Sequence, residues 1–196
     1  MPPGRFLTVW AMDSAHRQLS DQIDDATQRL LGSARVMAEP ELRQPSLLPG
    51  WTRAHVLAHL ARNADAMRTV LVGARSGERR DAYPSDQARE AGIEAGARQQ
   101  PKDLVADVAD SAMALRMVAR QLAPSAWQFP VQMPGAAPFP AGGLLTRRLV
   151  EVELHHVDLG AAYGPADWPA AFAELDLTEP MQAWREGRLS RHPRSS

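Results

Sequence analysis

Apolar side chains recur every three or four residues along four stretches of the chain, and this spacing predicts four long amphipathic helices. Thr52 is the predicted N-cap of the second helix, because its hydroxyl can accept a free backbone N–H. The pattern as a whole predicts an all-α fold, a bundle in which ligand sites lie between facing helices. The four predicted helices cover about residues 13–37, 51–73, 101–122 and 144–163.

Residues 124–143 interrupt this pattern with five prolines and three glycines. A connection of that length inside a compact domain is typical of a crossover loop or a lid. We therefore expect a flexible N-terminus at 1–12, a helical bundle at 13–165 with a long crossover loop, and a short C-terminal remnant at 166–196. The remnant is expected to be partly disordered, from Gly187 onwards.

Composition narrows the possible functions. The 196 residues are 44% hydrophobic and 23% charged, with a formal net charge of -1, so neither nucleic acid nor an anionic membrane is an expected partner. No apolar run is long enough for a membrane span, and the N-terminus lacks a secretory pattern, which predicts a cytoplasmic protein. Cysteine is absent, so any metal must be held by histidine and carboxylate side chains.

The fourth predicted helix carries a column of polar residues between two apolar stripes. Glu151, His155 and Asp158 form this column, whereas Glu153 points the opposite way. A column flanked on both sides by apolar residues should face the interior, where a charge needs a partner or a metal. The arrangement separates Glu151 from Glu153, and His155 from His156.

The second predicted helix offers His55 and His59, four residues apart. His59 lies beside the main apolar arc and His55 further round, so His59 is the better candidate for an interior site. With Glu151 and His155 it would complete a set of two histidines and one carboxylate, which is a recurrent catalytic metal arrangement.

Simpler interpretations of these residues stay open. The two histidines of the second helix could be solvated, and Glu151 with His155 could be a buried pair that joins two helices. Asp158 could orient an imidazole from outside the metal shell. It could equally form a salt bridge to Arg147 or Arg148.

Two stretches resemble the signatures of a known family. Residues 46–65, with the sequence SLLPGWTRAHVLAHLARNAD, and residues 151–160, with the sequence EVELHHVDLG, are similar to those of the mycothiol-dependent maleylpyruvate isomerases. That family belongs to the DinB-like four-helix-bundle enzymes. The resemblance implies a zinc ion held by His59, Glu151 and His155, and mycothiol as the thiol cofactor. The family's C-terminal α/β domain is expected to be truncated in this chain.

The implied reaction is the cis–trans isomerisation of maleylpyruvate to fumarylpyruvate in gentisate catabolism. A thiolate would add reversibly to the cis double bond, so that the resulting single bond can rotate before elimination. Arginines would bind the dicarboxylate substrate, and a monomer or small homo-oligomer is expected. The candidate arginines, which the sequence does not rank, are Arg53, Arg62, Arg89 and Arg148.

Other activities fit the same residues. A mycothiol S-transferase or a metal-dependent hydrolase could use an open zinc site on this fold. A non-catalytic metal-binding bundle is the third alternative.

Overall fold

Four long helices form the body of the protein. The computed structural model describes the backbone of residues 4–191 and the side chains of residues 14–191. Around the bundle, α1 contacts α5 and α6, and α3 contacts the same two helices from the other side. The all-α bundle predicted from the sequence is confirmed. The helices of the described chain are α1 (Gly4–Arg35), α2 (Glu39–Leu42), α3 (Arg53–Ser76), α4 (Asp86–Ala97), α5 (Pro101–Arg120), α6 (Gly143–Asp158), α7 (Ala170–Ala173) and α8 (Met181–Arg191).

Local capping explains where α3 begins and ends. The Thr52 hydroxyl accepts the backbone N–H of His55 at 3.4 Å, as expected of an N-cap. The helix ends at Ser76 and is capped by Gly77, which has a φ of 73°. The predicted stop at Gly73 was therefore too early. Gly73 instead lets the following loop approach, since a Cβ there would lie 2.5 Å from the carbonyl oxygen of Glu78.

The helix that carries Glu151 and His155 is shorter than predicted. It ends at Asp158 and not near Tyr163, because Gly160 turns the chain with a φ of 62°. A Cβ at this position would also meet the side chain of Leu47 at 3.2 Å. Gly160 therefore stops the helix and lets the 46–51 loop pack against its end.

Both ends of the described chain differ from the sequence prediction. Helix α1 begins at Gly4, so residues 4–12, expected to be loose, are helical. No proline or glycine follows Gly4 until Gly32, and extending a helix is easier than starting one. At the other end, α8 continues through Gly187 to Arg191, where disorder was expected. Residues 1–3 and 192–196 lie outside the described residues.

The crossover between α5 and α6 contains a small amount of β-structure. Strands β1 (Pro130–Val131) and β2 (Phe139–Pro140) pair in antiparallel fashion. Trp127 and Met133 of this crossover are buried in the hydrophobic core. Across the helices of residues 4–191, no stretch combines the length and apolar character of a membrane span.

Candidate metal centre

Two histidines and one glutamate converge between α3 and α6. His59 Nε2 lies 3.0 Å from Glu151 Oε2, and His155 Nε2 lies 3.2 Å from the same oxygen. The two imidazole rings meet edge to face, with centroids 4.8 Å apart. One potential ligand atom from each residue lies within 4.8 Å of the others. The packing of α3 against α6 thus brings together the three residues that the sequence predicts as ligands.

A carboxylate behind His155 determines which ring nitrogen faces the centre. His155 Nδ1 lies 2.9 Å from Asp158 Oδ2, and the Asp158 side chain is fully buried. A ring that donates its Nδ1 proton to a carboxylate keeps Nε2 for a metal. The carboxylate of Asp158 also accepts two bonds from Arg188 of α8, at 2.6 Å to Oδ2 and 3.2 Å to Oδ1. Its partner is therefore neither Arg147 nor Arg148, the two that the sequence suggested.

The electrostatics of the centre favour a negative carboxylate facing positive or neutral imidazoles. Burial alone would raise the pKa of Glu151, but hydrogen bonds with His155 and His59 hold it well below its usual range. For His155, burial would lower the pKa, yet the bonds to Asp158 and Glu151 raise it to about 9. Burial lowers the pKa of His59. A metal would therefore replace a proton on His155 and find His59 already neutral.

The loop before α3 places an aromatic wall beside the centre. The Ser46 hydroxyl donates to the carbonyl of Trp51 at 2.9 Å, and the N–H of Leu47 donates to the carbonyl of Asp158 at 2.8 Å. The first bond closes the loop on itself, and the second ties it to the end of α6. The Trp51 ring consequently lies against His59, with centroids 5.4 Å apart. The signature stretch therefore has a structural role in addition to supplying His59.

A cavity of about 420 Å³ opens onto the three residues. Its wall combines apolar side chains with Arg89 and with Trp184 and Arg188 of α8. A smaller cavity of about 120 Å³ also borders His59 and Glu151, and Arg89 and Trp184 line both cavities. The apolar part of the larger cavity's wall consists of Leu48, Pro49, Trp51, Val150 and Leu154.

The four candidate arginines occupy different environments. Arg89 reaches the centre, with Nη2 3.5 Å from His59 Nδ1. Arg53 donates to the carbonyls of Leu159 and Gly160 at 2.8 and 2.9 Å, and so caps the end of α6. Arg62 forms ion pairs with Asp65 and Asp107 at 3.0 and 2.6 Å. Of these three, Arg89 alone lines the cavities at the centre.

Arg148 is buried in the core beside the centre. Its Nη1 donates to the carbonyl of Leu60 and to the side-chain oxygen of Asn63, both at 2.9 Å. Burial lowers its pKa to about 10. Arg148 therefore joins α6 to α3 close to His59. Two of the hydrogen bonds that its guanidinium can donate are already made to the protein and are not free for a substrate.

The neighbours of the ligand candidates face away from the centre. His55 lies 3.1 Å from Glu94 of α4. Glu153 is almost fully buried on the opposite side of α6, against α1, where Arg29 and Tyr163 each donate to it at 2.6 Å. The ring of His156 stacks on Tyr163 with centroids 3.7 Å apart. The structure places these residues away from the centre, but the sequence did not predict that Glu153 and His156 belong to a second buried polar cluster.

Sequence reasoning also missed the contribution of α8. Trp184 and Arg188 lie in the C-terminal segment 166–196, which the sequence predicts to be a short remnant that is disordered from Gly187 onwards. The spacing of Met181, Trp184, Arg185 and Arg188, at intervals of one, three and four residues, was the available clue to one helical side. The contacts with Asp158 become visible only in the folded chain.

Comparison with known proteins identifies one family, and its name agrees with that of the similar solved structures. The family described as mycothiol maleylpyruvate isomerase N-terminal domain matches residues 23–160. Among curated proteins no significant match is found. The matched range contains all three residues of the centre, together with Asp158 and Arg89.

Two solved structures resemble the chain. One is the crystal structure of the mycothiol-dependent maleylpyruvate isomerase, at 30% identity and a TM-score of 0.77. The other is a histidine-to-alanine mutant of a protein with the same name, at 29% identity and a TM-score of 0.77. In both comparisons 81% of this chain is covered, but only 66% of the solved chain. This chain, a DinB-like helical bundle, belongs to the mycothiol maleylpyruvate isomerase N-terminal domain family.

Proposed function

We propose that the protein binds zinc through His59, Glu151 and His155 and uses mycothiol to isomerise maleylpyruvate to fumarylpyruvate. The observation that carries this proposal is the convergence of two imidazoles and one carboxylate on one point at a cavity, in a member of this family. Three such ligands leave a coordination position open, as catalytic zinc sites require. The chain has no cysteine, which agrees with a thiol supplied from outside.

The donor set fits zinc chemically as well as geometrically. Asp158 holds the Nδ1 side of His155, so Nε2 would present a lone pair to the metal once the metal has displaced its proton. Glu151 supplies the negative charge that offsets part of the metal's charge. When bound, the zinc ion would favour the thiolate form of a thiol at neutral pH and polarise a carbonyl or carboxylate oxygen.

The cavity walls suit a small anionic substrate. Arg89 borders both cavities beside His59, where its guanidinium can pair with a carboxylate in two-point geometry. Trp51, Val150 and Leu154 give the larger cavity an apolar side that limits water around the reacting carbons. Lower water content strengthens the attraction between Arg89 and a substrate carboxylate. We therefore assign Arg89, among the candidate arginines, to substrate binding.

The test compares two histidines of the same helix. His59→Ala should lose zinc, measured by elemental analysis of the purified protein, and should form no fumarylpyruvate from maleylpyruvate and mycothiol. His55→Ala, whose side chain faces Glu94 and lies outside the centre, should retain both. Equal zinc content in the two variants would contradict the ligand assignment.

The thiol requirement separates the proposed reaction from its alternatives. Isomerisation by the wild-type protein should require mycothiol, and turnover without any thiol would contradict the mechanism. Transfer of the mycothiol sulfur to another electrophile, without isomerisation, would indicate an S-transferase. Thiol-independent hydrolysis would indicate a hydrolase, and tight zinc binding without turnover would indicate a non-catalytic bundle.

A further inference from the structure

Arg188 of α8 contacts the carboxylate that holds His155. Arg188 is 12% exposed, and its guanidinium binds both oxygens of Asp158, at 2.6 and 3.2 Å. Asp158 is fully buried, and its Oδ2 is shared between Arg188 and Nδ1 of His155. The chain of contacts thus runs from α8, through one carboxylate of α6, to the imidazole of a proposed ligand.

The shared oxygen makes the orientation of Asp158 important. A carboxylate can rotate about its last bond, and rotation would withdraw Oδ2 from His155. The two-point contact from a planar guanidinium opposes that rotation, because both oxygens are held in one plane. The imidazole is in turn held with Nε2 toward Glu151, 3.2 Å away.

We infer that Arg188 is a positioning residue of the metal site, which holds Asp158 so that Asp158 holds the His155 ring with Nε2 directed at the metal. This inference rests on the proposed metal site and extends it to a helix beyond the residues that the family description matches, 23–160. It implies that α8 is required for full metal affinity, and not only for covering the cavity.

A purely structural role for Arg188 would be to dock α8 onto the bundle. Arg185 provides the matched comparison, because it anchors the same helix without contacting Asp158. Its Nη1 donates to the carbonyls of Phe172 and Leu175, both at 2.8 Å, and the residue is 8% exposed. Loss of Arg185 therefore weakens the docking of α8 and leaves the contact with Asp158 in place.

The experiment measures the zinc dissociation constant of the full chain by competition with a chromophoric chelator. Removal of a side chain that orients a metal ligand weakens metal binding by about 10–100-fold. Arg188→Met should raise the zinc dissociation constant by about tenfold, at the lower end of that range, since it acts through Asp158. Arg185→Met should leave the constant unchanged. An unchanged constant in Arg188→Met, or an equal loss in Arg185→Met, would overturn the inference.

A double-mutant cycle tests the route through Asp158. Asp158→Asn alone should weaken zinc binding, and adding Arg188→Met to it should weaken binding no further. Additive losses would show that Arg188 acts by another route, which would also overturn the inference. If Arg188→Met does not fold, Arg188→Lys replaces it, because lysine keeps the charge but loses the two-point contact. Wild-type affinity in Arg188→Lys would again overturn the positioning role.

The metal site itself is tested separately with His59→Ala. Wild-type zinc affinity in that variant would mean that the proposed centre is wrong. Loss of zinc in His59→Ala, combined with wild-type affinity in Arg188→Met, would leave the centre intact and refute only the role of Arg188.

Discussion

Glu151 and Glu153 are two residues apart on α6, yet their side chains lie on opposite sides of the helix and have different partners. The same chemical change, glutamate to glutamine, should therefore have different consequences at the two positions. Glu151→Gln removes the charged oxygen on which His59 and His155 converge. Glu153→Gln alters the contact between α6 and α1 on the far side of the helix.

The loss of stability expected in Glu153→Gln follows from the two short hydrogen bonds that Glu153 accepts. Charge-assisted bonds contribute about 1.5–3 kcal/mol each. The ion pair with Arg29 should contribute no more than about 1.5 kcal/mol, since the arginine side chain is 36% exposed and water screens its charge. The bond from Tyr163 to a buried carboxylate keeps its full value. Glu153→Gln should therefore lower the free energy of unfolding by about 3 kcal/mol, or about 6–12 °C in melting temperature for a chain of this size.

At Glu151 the expected loss is in metal binding. Removing a residue that hydrogen-bonds to a metal ligand lowers metal affinity by about 10–100-fold, so removing a proposed carboxylate ligand itself should lower zinc affinity by more than about 100-fold. Glu153→Gln should bind zinc as the wild type does. The assays are thermal unfolding followed by circular dichroism and zinc competition with a chelator. Equal loss of zinc affinity in both variants, or full zinc affinity in Glu151→Gln, would refute the assignment of the two faces.

Three further outcomes are expected. The pKa of His155 is raised to about 9 in the metal-free protein, so zinc must displace its proton, and zinc affinity should rise about tenfold per pH unit between pH 6 and 8. Calorimetry in buffers of different ionisation enthalpy would show the proton release, and a zinc affinity that does not change with pH would contradict this prediction. Arg89→Met should raise the KM for maleylpyruvate by about 10–100-fold with zinc content unchanged, whereas Arg62→Met, which loses only ion pairs to Asp65 and Asp107, should keep the wild-type KM. Gly96→Ala should destabilise the fold by about 1–3 kcal/mol, since its Cβ would lie 2.8 Å from that of Ala58. Gly32 lies in open space within α1, so Gly32→Ala should stabilise the fold by about 0.5–1 kcal/mol. Chemical denaturation of the two variants would measure both changes in the free energy of unfolding.

The sequence by itself determined the helices and the candidate ligands. Helical periodicity is a local property, so the apolar stripes were sufficient to predict that Glu151 and His155 share one side of α6. They did not predict that the opposite side, which carries Glu153, is buried as well. The absence of cysteine limited the ligand types to histidine and carboxylate. The capping hydroxyl of Thr52 marked the start of α3 for the same reason, since its partner is three residues away.

Only the tertiary structure decided which residues from different helices meet. Four arginines were equivalent in the sequence, and packing directed Arg89 to the cavity, Arg53 to the end of α6 and Arg148 into the core. The sequence predicts disorder at Arg188, because its partner Asp158 lies 30 residues earlier in the chain and no local pattern reports such a contact. Periodicity predicts the side of a helix on which a residue lies. The residue that it contacts there depends on how the helices pack, and this packing brings His59 of α3 to Glu151 of α6.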